Sequence, residues 1–228
     1  MKIGIILTPD ARSKVYLQKL IQNNIFLDEI LFMNDNRQEP NYSEDIIQKS
    51  KEFGFDISKP ILKSLEESQI KFEEFSHVDI NHPDLVSYLS KSNSEIFIFT
   101  GGGILRKEVL NCGPKFVHLH PGIVPNYRGS TCFYYSIINE DKCGVTAYFM
   151  DEKLDSGDII YQRSFEKPNH QSIDEIYDPF IRSETLIDVL KNKRIESQEF
   201  KKQDPHGETY FIIHPVLKHI SILSCIKE

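Results

Sequence analysis

EIFIFTGGGILRKEVLNCGPKFVHLHPGIVPNYRGS, residues 95–130, decides the fold. Glu95–Thr100 is a short run of mostly apolar residues, the signature of a strand buried on both faces. The glycines Gly101, Gly102 and Gly103 break that run. A helical stretch follows near Leu105–Asn111, and a further strand signal sits at Lys115–His118. A strand, a glycine turn, a short helix and a second strand make the repeating unit of a parallel sheet.

The same alternation extends upstream. Lys2–Leu7 reads as a buried strand, and Ala11–Asn23 carries Leu17, Leu20 and Ile21 at helical spacing. Glu29–Phe32 is another strand signal, and Met33–Tyr42 reads as a loop. Ser43 opens a helix stopped by Gly54, Pro60–Ser68 another, and Pro83 a third that carries Leu85, Val86 and Leu89. Downstream, Thr131–Asn139 reads as a helix, and Gly144–Met150 and Asp158–Gln162 as paired strands around an acidic turn. Ser172 with Glu175 is a capping-box pattern that predicts a helix start. Thr209–Ile213 is the one further strand signal in the tail. This order predicts an α/β fold with a mainly parallel sheet and helices on both faces. Ligands of such sheets bind beyond the carboxyl ends of the strands, which directs attention to the loops after Thr100 and His118. Neither a G-x-G-x-x-G turn nor a P-loop is present, so nicotinamide and P-loop nucleotide chemistry lose their main support.

Composition narrows the function classes. The chain has 228 residues, 39% hydrophobic and 27% charged, with a net charge of −7. A nucleic acid partner usually demands a basic face, so RNA or DNA is not the expected substrate. No apolar run approaches the ~20 residues of a membrane helix, and MKIGIILTPDARS lacks the parts of a signal peptide. A cytoplasmic location without membrane association is expected. Cys112, Cys132, Cys143 and Cys225 form no C-x-x-C pair and are expected to be reduced structural thiols.

Chemistry concentrates in two segments. In FVHLHPGIVPNYRGS, residues 116–130, the two-residue spacing projects His118 and His120 from one face of an extended chain. Two imidazoles suit proton transfer near neutrality, and Arg128 adds a fixed cation. In MDEKLDSGDII, residues 150–160, Asp151, Asp155 and Asp158 surround the Gly157 turn. An aspartate beside a histidine fixes its tautomer and stabilises its protonated form. Taken alone, H-x-H also fits a metal half-site or two packed histidines, and the acidic turn also fits solvated carboxylates.

Together the segments are more specific. H-P-G-x-x-P-x-Y-R-G, followed about thirty residues later by G-V-T-A-Y-F-M-D-x-x-L-D-S-G-D-I-I, resembles the formyltransferase family. That family includes glycinamide ribonucleotide formyltransferase, the catalytic domain of methionyl-tRNA formyltransferase and amino-sugar N-formyltransferases. The resemblance implies a Rossmann-like formyltransferase fold over residues 1–195, with a short strand-containing extension at 196–228. It implies 10-formyltetrahydrofolate as formyl donor and a small-molecule amine as acceptor. His120 and Asp155 fall on the family's catalytic histidine and aspartate. Gly102, Ile104 and Leu105 fall on the segment that binds the pteridine, and Asp151 and Leu154 on its second loop. Thr146 matches a small hydroxyl residue on the preceding strand. Tyr127 and Arg128 are expected to contact the acceptor. The family usually reads N-x-H-P-S, so His118 stands in place of an asparagine that donates a hydrogen bond to the formyl oxygen. A ring N–H on His118 is expected to take over that donation.

The short, acidic tail argues against an initiator tRNA as acceptor, and QDPHGETYFIIHPVLKH, residues 203–219, resembles C-terminal additions of amino-sugar enzymes. The expected acceptor is a nucleotide-linked amino sugar for a bacterial surface glycan. The same tail strand also suits packing or a homodimer contact. Three competing readings remain open at this level: a formyl-folate hydrolase, a metal-dependent hydrolase with His118 and His120 as ligands, and a non-catalytic folate-binding relative.

Overall fold

The computed structural model describes residues 1–197 and 199–226. The N-terminal half alternates as expected: β1 (Ile3–Leu7), α1 (Ala11–Gln22), β2 (Glu29–Met33), α2 (Glu44–Glu52), α3 (Ile61–Glu67), β3 (Glu73–Phe75), α4 (Pro83–Leu89) and β4 (Ile96–Phe99). Then follow α5 (Lys107–Leu110), β5 (Lys115–His120), β6 (Arg128–Gly129), α6 (Cys132–Glu140), β7 (Lys142–Phe149) and β8 (Ile159–Glu166). The chain continues through α7 (Asp178–Lys191) and β9 (Thr209–Tyr210) to α8 (Pro215–Ser224).

The main sheet has strand order β3-β2-β1-β4-β5-β7-β8. The first five of these strands run parallel, while β7 and β8 are each antiparallel to the neighbour before them. The fold is thus the mainly parallel, doubly wound α/β architecture the sequence implied.

Side-chain alternation along the central strands supplies both faces. Ile5 and Leu7 of β1, Ile98 of β4 and Val117 and Leu119 of β5 join one core with Leu17 of α1 and Leu186 of α7. Ile6, Phe97, Phe99 and Phe116 join the opposite core with Leu85 and Leu89 of α4 and Val109 of α5. His118 and His120 continue the Phe116 row, so the pleat carries them along one face to the carboxyl end of β5. The local signals act as read. The Asp10 side chain caps α1 through the Ser13 N–H, Ser43 caps α2, and Gly54 leaves α2 with φ +80°.

Three details depart from the sequence reading. The edge strand β3 was not anticipated, because its residues Glu-Glu-Phe are mostly exposed and carry no apolar run. Ser172 makes no capping bond. Ile173–Tyr177 forms a π-helical turn instead, and α7 starts at Asp178 with Pro179 in its first turn, where a missing N–H costs nothing. The tail strand is only two residues long and is followed by α8. The apolar residues Val216, Ile220 and Leu223 of that helix stand at helical spacing, face outward and are about half exposed.

Candidate active site

β5 ends in the middle of the sheet, between β4 and β7, and the loops after these strands close around its tip. In the antiparallel register His118 lies opposite Tyr148, and His120 opposite Thr146. Residues opposite each other in a ladder share a face, so Tyr148 joins the two imidazoles. Thr146 stays behind them. Its hydroxyl donates to the Gly122 carbonyl (2.7 Å) and accepts from the Val124 N–H (3.2 Å), pinning the loop that follows the histidines.

Asp155 enters from the turn after β7. Its backbone is left-handed, at φ +47°, and its side chain is almost wholly buried. Carboxylate Oδ1 accepts from the Tyr148 hydroxyl at 2.7 Å. Oδ2 accepts from the Gly129 N–H at 2.6 Å and lies 3.4 Å from Nδ1 of His120. Burial alone would raise the Asp155 pKa, but His120, the Tyr148 hydroxyl and the Gly129 N–H outweigh it and leave the carboxyl below its usual value. Burial pushes the Tyr148 hydroxyl well above its ordinary value, with Asp155 adding to the rise, so it remains a donor through the working pH range.

Each histidine commits one nitrogen to a backbone carbonyl: Nδ1 of His118 lies 3.1 Å from the Phe99 oxygen, and Nε2 of His120 lies 2.8 Å from the Tyr127 oxygen. A carbonyl only accepts, so both of these nitrogens must carry the proton. In the neutral rings, Nε2 of His118 and Nδ1 of His120 are therefore lone pairs. Both rings are pushed toward the neutral form. Burial, reinforced by Arg182 and Arg12, pushes His118 down to about 3. Burial also lowers His120, against the pull of Asp155. The donor role expected of His118 meets a physical obstacle, since its only N–H is already bonded to Phe99.

These groups open onto one cavity of about 470 Å³. Gly102, Ile104, Leu105, Asp151 and Leu154 all line it alongside His118, His120 and Asp155. Ile104 and Leu154 are 73% and 55% exposed, and so present apolar surface to any occupant. Tyr127 and Arg128 lie outside the lining and are engaged elsewhere. The Tyr127 hydroxyl donates to Glu140 (2.8 Å) and its ring stacks on Tyr210. The Arg128 guanidinium donates to the Gln203 side chain (3.0 Å) and the Asp204 carbonyl (2.6 Å). Both side chains thus tie down the C-terminal segment, and the direct contact with acceptor expected of them has no support in this arrangement.

The sequence reading missed several lining residues. Arg12 is at the start of α1 and paired with Asp10 at 3.2 Å. Arg182 is buried and donates to Asp178 (2.8 Å) and the Leu119 carbonyl (2.9 Å). No spacing rule links either one to β5, because tertiary packing alone brings them there. Tyr148 was findable from the strand register. Phe211 and Ile212 lay within a segment read as a strand. Among the described residues, no group of three or more His, Cys, Asp or Glu side chains is arranged to hold a metal ion, and no helix is long and apolar enough to cross a membrane.

A doubly wound sheet with two imidazoles and a carboxylate at the carboxyl end of the interior strand β5 places acid–base groups where such sheets bind ligands. Residues 31–190 match the family model described as formyl transferase, and the chain belongs to that family. The methionyl-tRNA formyltransferase of Helicobacter pylori is 27% identical over 195 residues, covering 84% of this chain but 60% of that enzyme. The chain therefore spans less than two thirds of that relative. Among solved structures, a sugar N-formyltransferase from a Shewanella species superposes with TM-score 0.63 at 16% identity, covering 99% of this chain and 88% of that one. An N-formyltransferase from Helicobacter canadensis, in complex with folinic acid and dTDP-3-aminofucose, has TM-score 0.61 at 17% identity and covers 92% and 71% of the two chains.

Proposed function

We propose that this protein transfers a formyl group from 10-formyltetrahydrofolate to the primary amine of a nucleotide-linked amino sugar. The observation that carries this reading is the meeting of His118, His120 and Asp155 in one cavity with the exposed apolar side chains Ile104 and Leu154. The glycine turn and these two side chains suit a flat pterin ring, because glycine lets the backbone approach closely.

The polar atoms at the base suit an amine. His118 Nε2, His120 Nδ1 and Asp155 Oδ2 are all acceptors, and a primary amine brings N–H donors to them while its lone pair faces the formyl carbon. His118 thereby orients the nucleophile. As the new C–N bond forms, the His120–Asp155 pair takes the amine proton: the proton settles on Nδ1 and the imidazolium is stabilised by the adjacent carboxylate. The same pair returns the proton to the departing folate nitrogen. Holding both reactants in register is itself worth ~7–11 kcal/mol of the barrier.

A small acceptor is favoured over tRNA by the net charge of −7 and by the nucleotide sugar, dTDP-3-aminofucose, held by the structurally similar enzyme of Helicobacter canadensis. The test is an acceptor screen with 10-formyltetrahydrofolate, read by mass gain of one formyl group and by release of tetrahydrofolate. Nucleotide-linked amino sugars are expected to gain the group, and His120→Ala and Asp155→Asn to lose ~10²–10⁴-fold in rate with their circular dichroism unchanged. Folate release without any amine would make the protein a hydrolase and overturn the reading.

A further inference from the structure

Four large apolar side chains stand exposed in the cavity lining. Ile104 and Leu154 lie on the loops assigned above to the pterin. The other two, Phe211 and Ile212, are 81% and 80% exposed, more than any other large hydrophobic among the described residues. Nothing in the reaction described so far uses them.

Their exposure is not looseness of the tail. β9 pairs in parallel with β6, setting Thr209 beside Arg128 and Tyr210 beside Gly129. The Ser130 N–H donates to the Tyr210 carbonyl at 2.8 Å, and the Ile213 N–H donates to the Thr131 hydroxyl oxygen at 2.9 Å. Tyr210 on one side is stacked on Tyr127, and Ile213 on the other side is buried. Phe211 and Ile212 are thus the tip of a strap pinned at both ends, held out over the cavity.

The cavity is too small to hold everything. About 470 Å³ takes a pterin head and a sugar-sized amine, so the remote part of a larger acceptor must lie at the rim. Arg12, Lys153 and Arg182 line the cavity beside the carboxylates of Asp151, Glu152 and Asp155, so cationic partners for phosphates are among its walls. An exposed aromatic face on a cavity that also carries cationic side chains matches a base joined to a diphosphate.

Resting on the acceptor class proposed above, we infer that Phe211, with Ile212 beside it, is the platform on which the base of the nucleotide-linked acceptor stacks. Phe211 is therefore a specificity residue, and the C-terminal segment selects the acceptor without touching the formyl donor.

The test is titration calorimetry of the full chain with thymidine diphosphate, uridine diphosphate and inorganic pyrophosphate, with no formyl transfer needed. The nucleoside diphosphates are expected to bind more tightly than pyrophosphate. Phe211→Ala should weaken them about 5- to 150-fold while leaving pyrophosphate and a folate analogue unchanged. Phe211→Tyr, which keeps the ring, should bind like the parent. Equal affinity for pyrophosphate and the nucleoside diphosphates, or unaltered binding by Phe211→Ala, overturns the inference. A change in sedimentation mass on Phe211→Ala also overturns it, since the tip would then be a subunit contact. Formyl transfer to an amino sugar without base-dependent binding would sink this inference and leave the proposed reaction standing. Base-dependent binding without formyl transfer would do the reverse.

Discussion

Replacing Tyr148 by phenylalanine removes one oxygen atom and leaves the aromatic ring beside both imidazoles, its centroid 6.2 Å from that of His118 and 6.5 Å from that of His120. What is lost is the hydroxyl that donates to Asp155 Oδ1 at 2.7 Å. A hydrogen bond to an ionised group contributes ~1.5–3 kcal/mol. At about 1.4 kcal/mol per pH unit, the Asp155 carboxyl should rise by ~1–2 units. The sign follows from the direction in the parent protein, where Asp155 is depressed despite its burial. Its contribution is present above the unfolded carboxylate value and lost as pH falls through the folded one. In Tyr148→Phe that loss must begin at higher pH, so the acid limb of kcat/KM moves toward neutrality. Carboxyl carbon NMR of Asp155 reads the same shift without turnover. An acid limb and a carboxyl titration that both stay within about 0.3 units of the parent would refute the assignment of Asp155 as the ionised partner of His120.

Gly129 has φ +97°, and a Cβ there would overlap the Tyr210 carbonyl. The left-handed backbone alone costs alanine ~1–2 kcal/mol, so Gly129→Ala should lower Tm by about 2–8 °C in a scanning experiment. Arg128→Ala removes the donors to Gln203 and Asp204. Limited proteolysis should then cut the C-terminal segment faster, and KM for the amine should rise while that for the folate holds. Long-range nitrogen–proton spectra of His118 should show the proton on Nδ1, as the Phe99 carbonyl requires. A proton on Nε2 would restore the oxyanion donor first expected there.

The architecture was legible because its signals are local. The apolar strands, the capping residues Asp10 and Ser43, and the Gly54 stop each act within a few residues. His118, His120 and Asp155 were legible as candidates because two short motifs carry them. Their hydrogen-bond states were not, since Phe99 and Tyr127 decide which ring nitrogen is protonated and neither carries a motif. Arg12 and Arg182 arrive through the packing of α1 and α7 at the end of the sheet. β3 is too polar to read as a buried strand, whereas α8 carries a readable pattern, Pro215 at its start and Val216, Ile220 and Leu223 at helical spacing, inside a tail read only for its strand. Tyr127 and Arg128 were placed near the acceptor by their position in the motif, but their polar groups are occupied by Glu140, Gln203 and Asp204.

One peptide unit joins two parts of the molecule that lie far apart along the chain. The Gly129 N–H grips Asp155, while Gly129 itself is the ladder partner of Tyr210. Trimming the tail or grafting another onto this core would disturb the backbone that holds Asp155, not only the surface proposed to meet an acceptor. On the proposed function, a new acceptor preference has to be found within tails that still present a strand at Thr209–Tyr210, which ties variation in selectivity to the upkeep of the proposed acid–base centre.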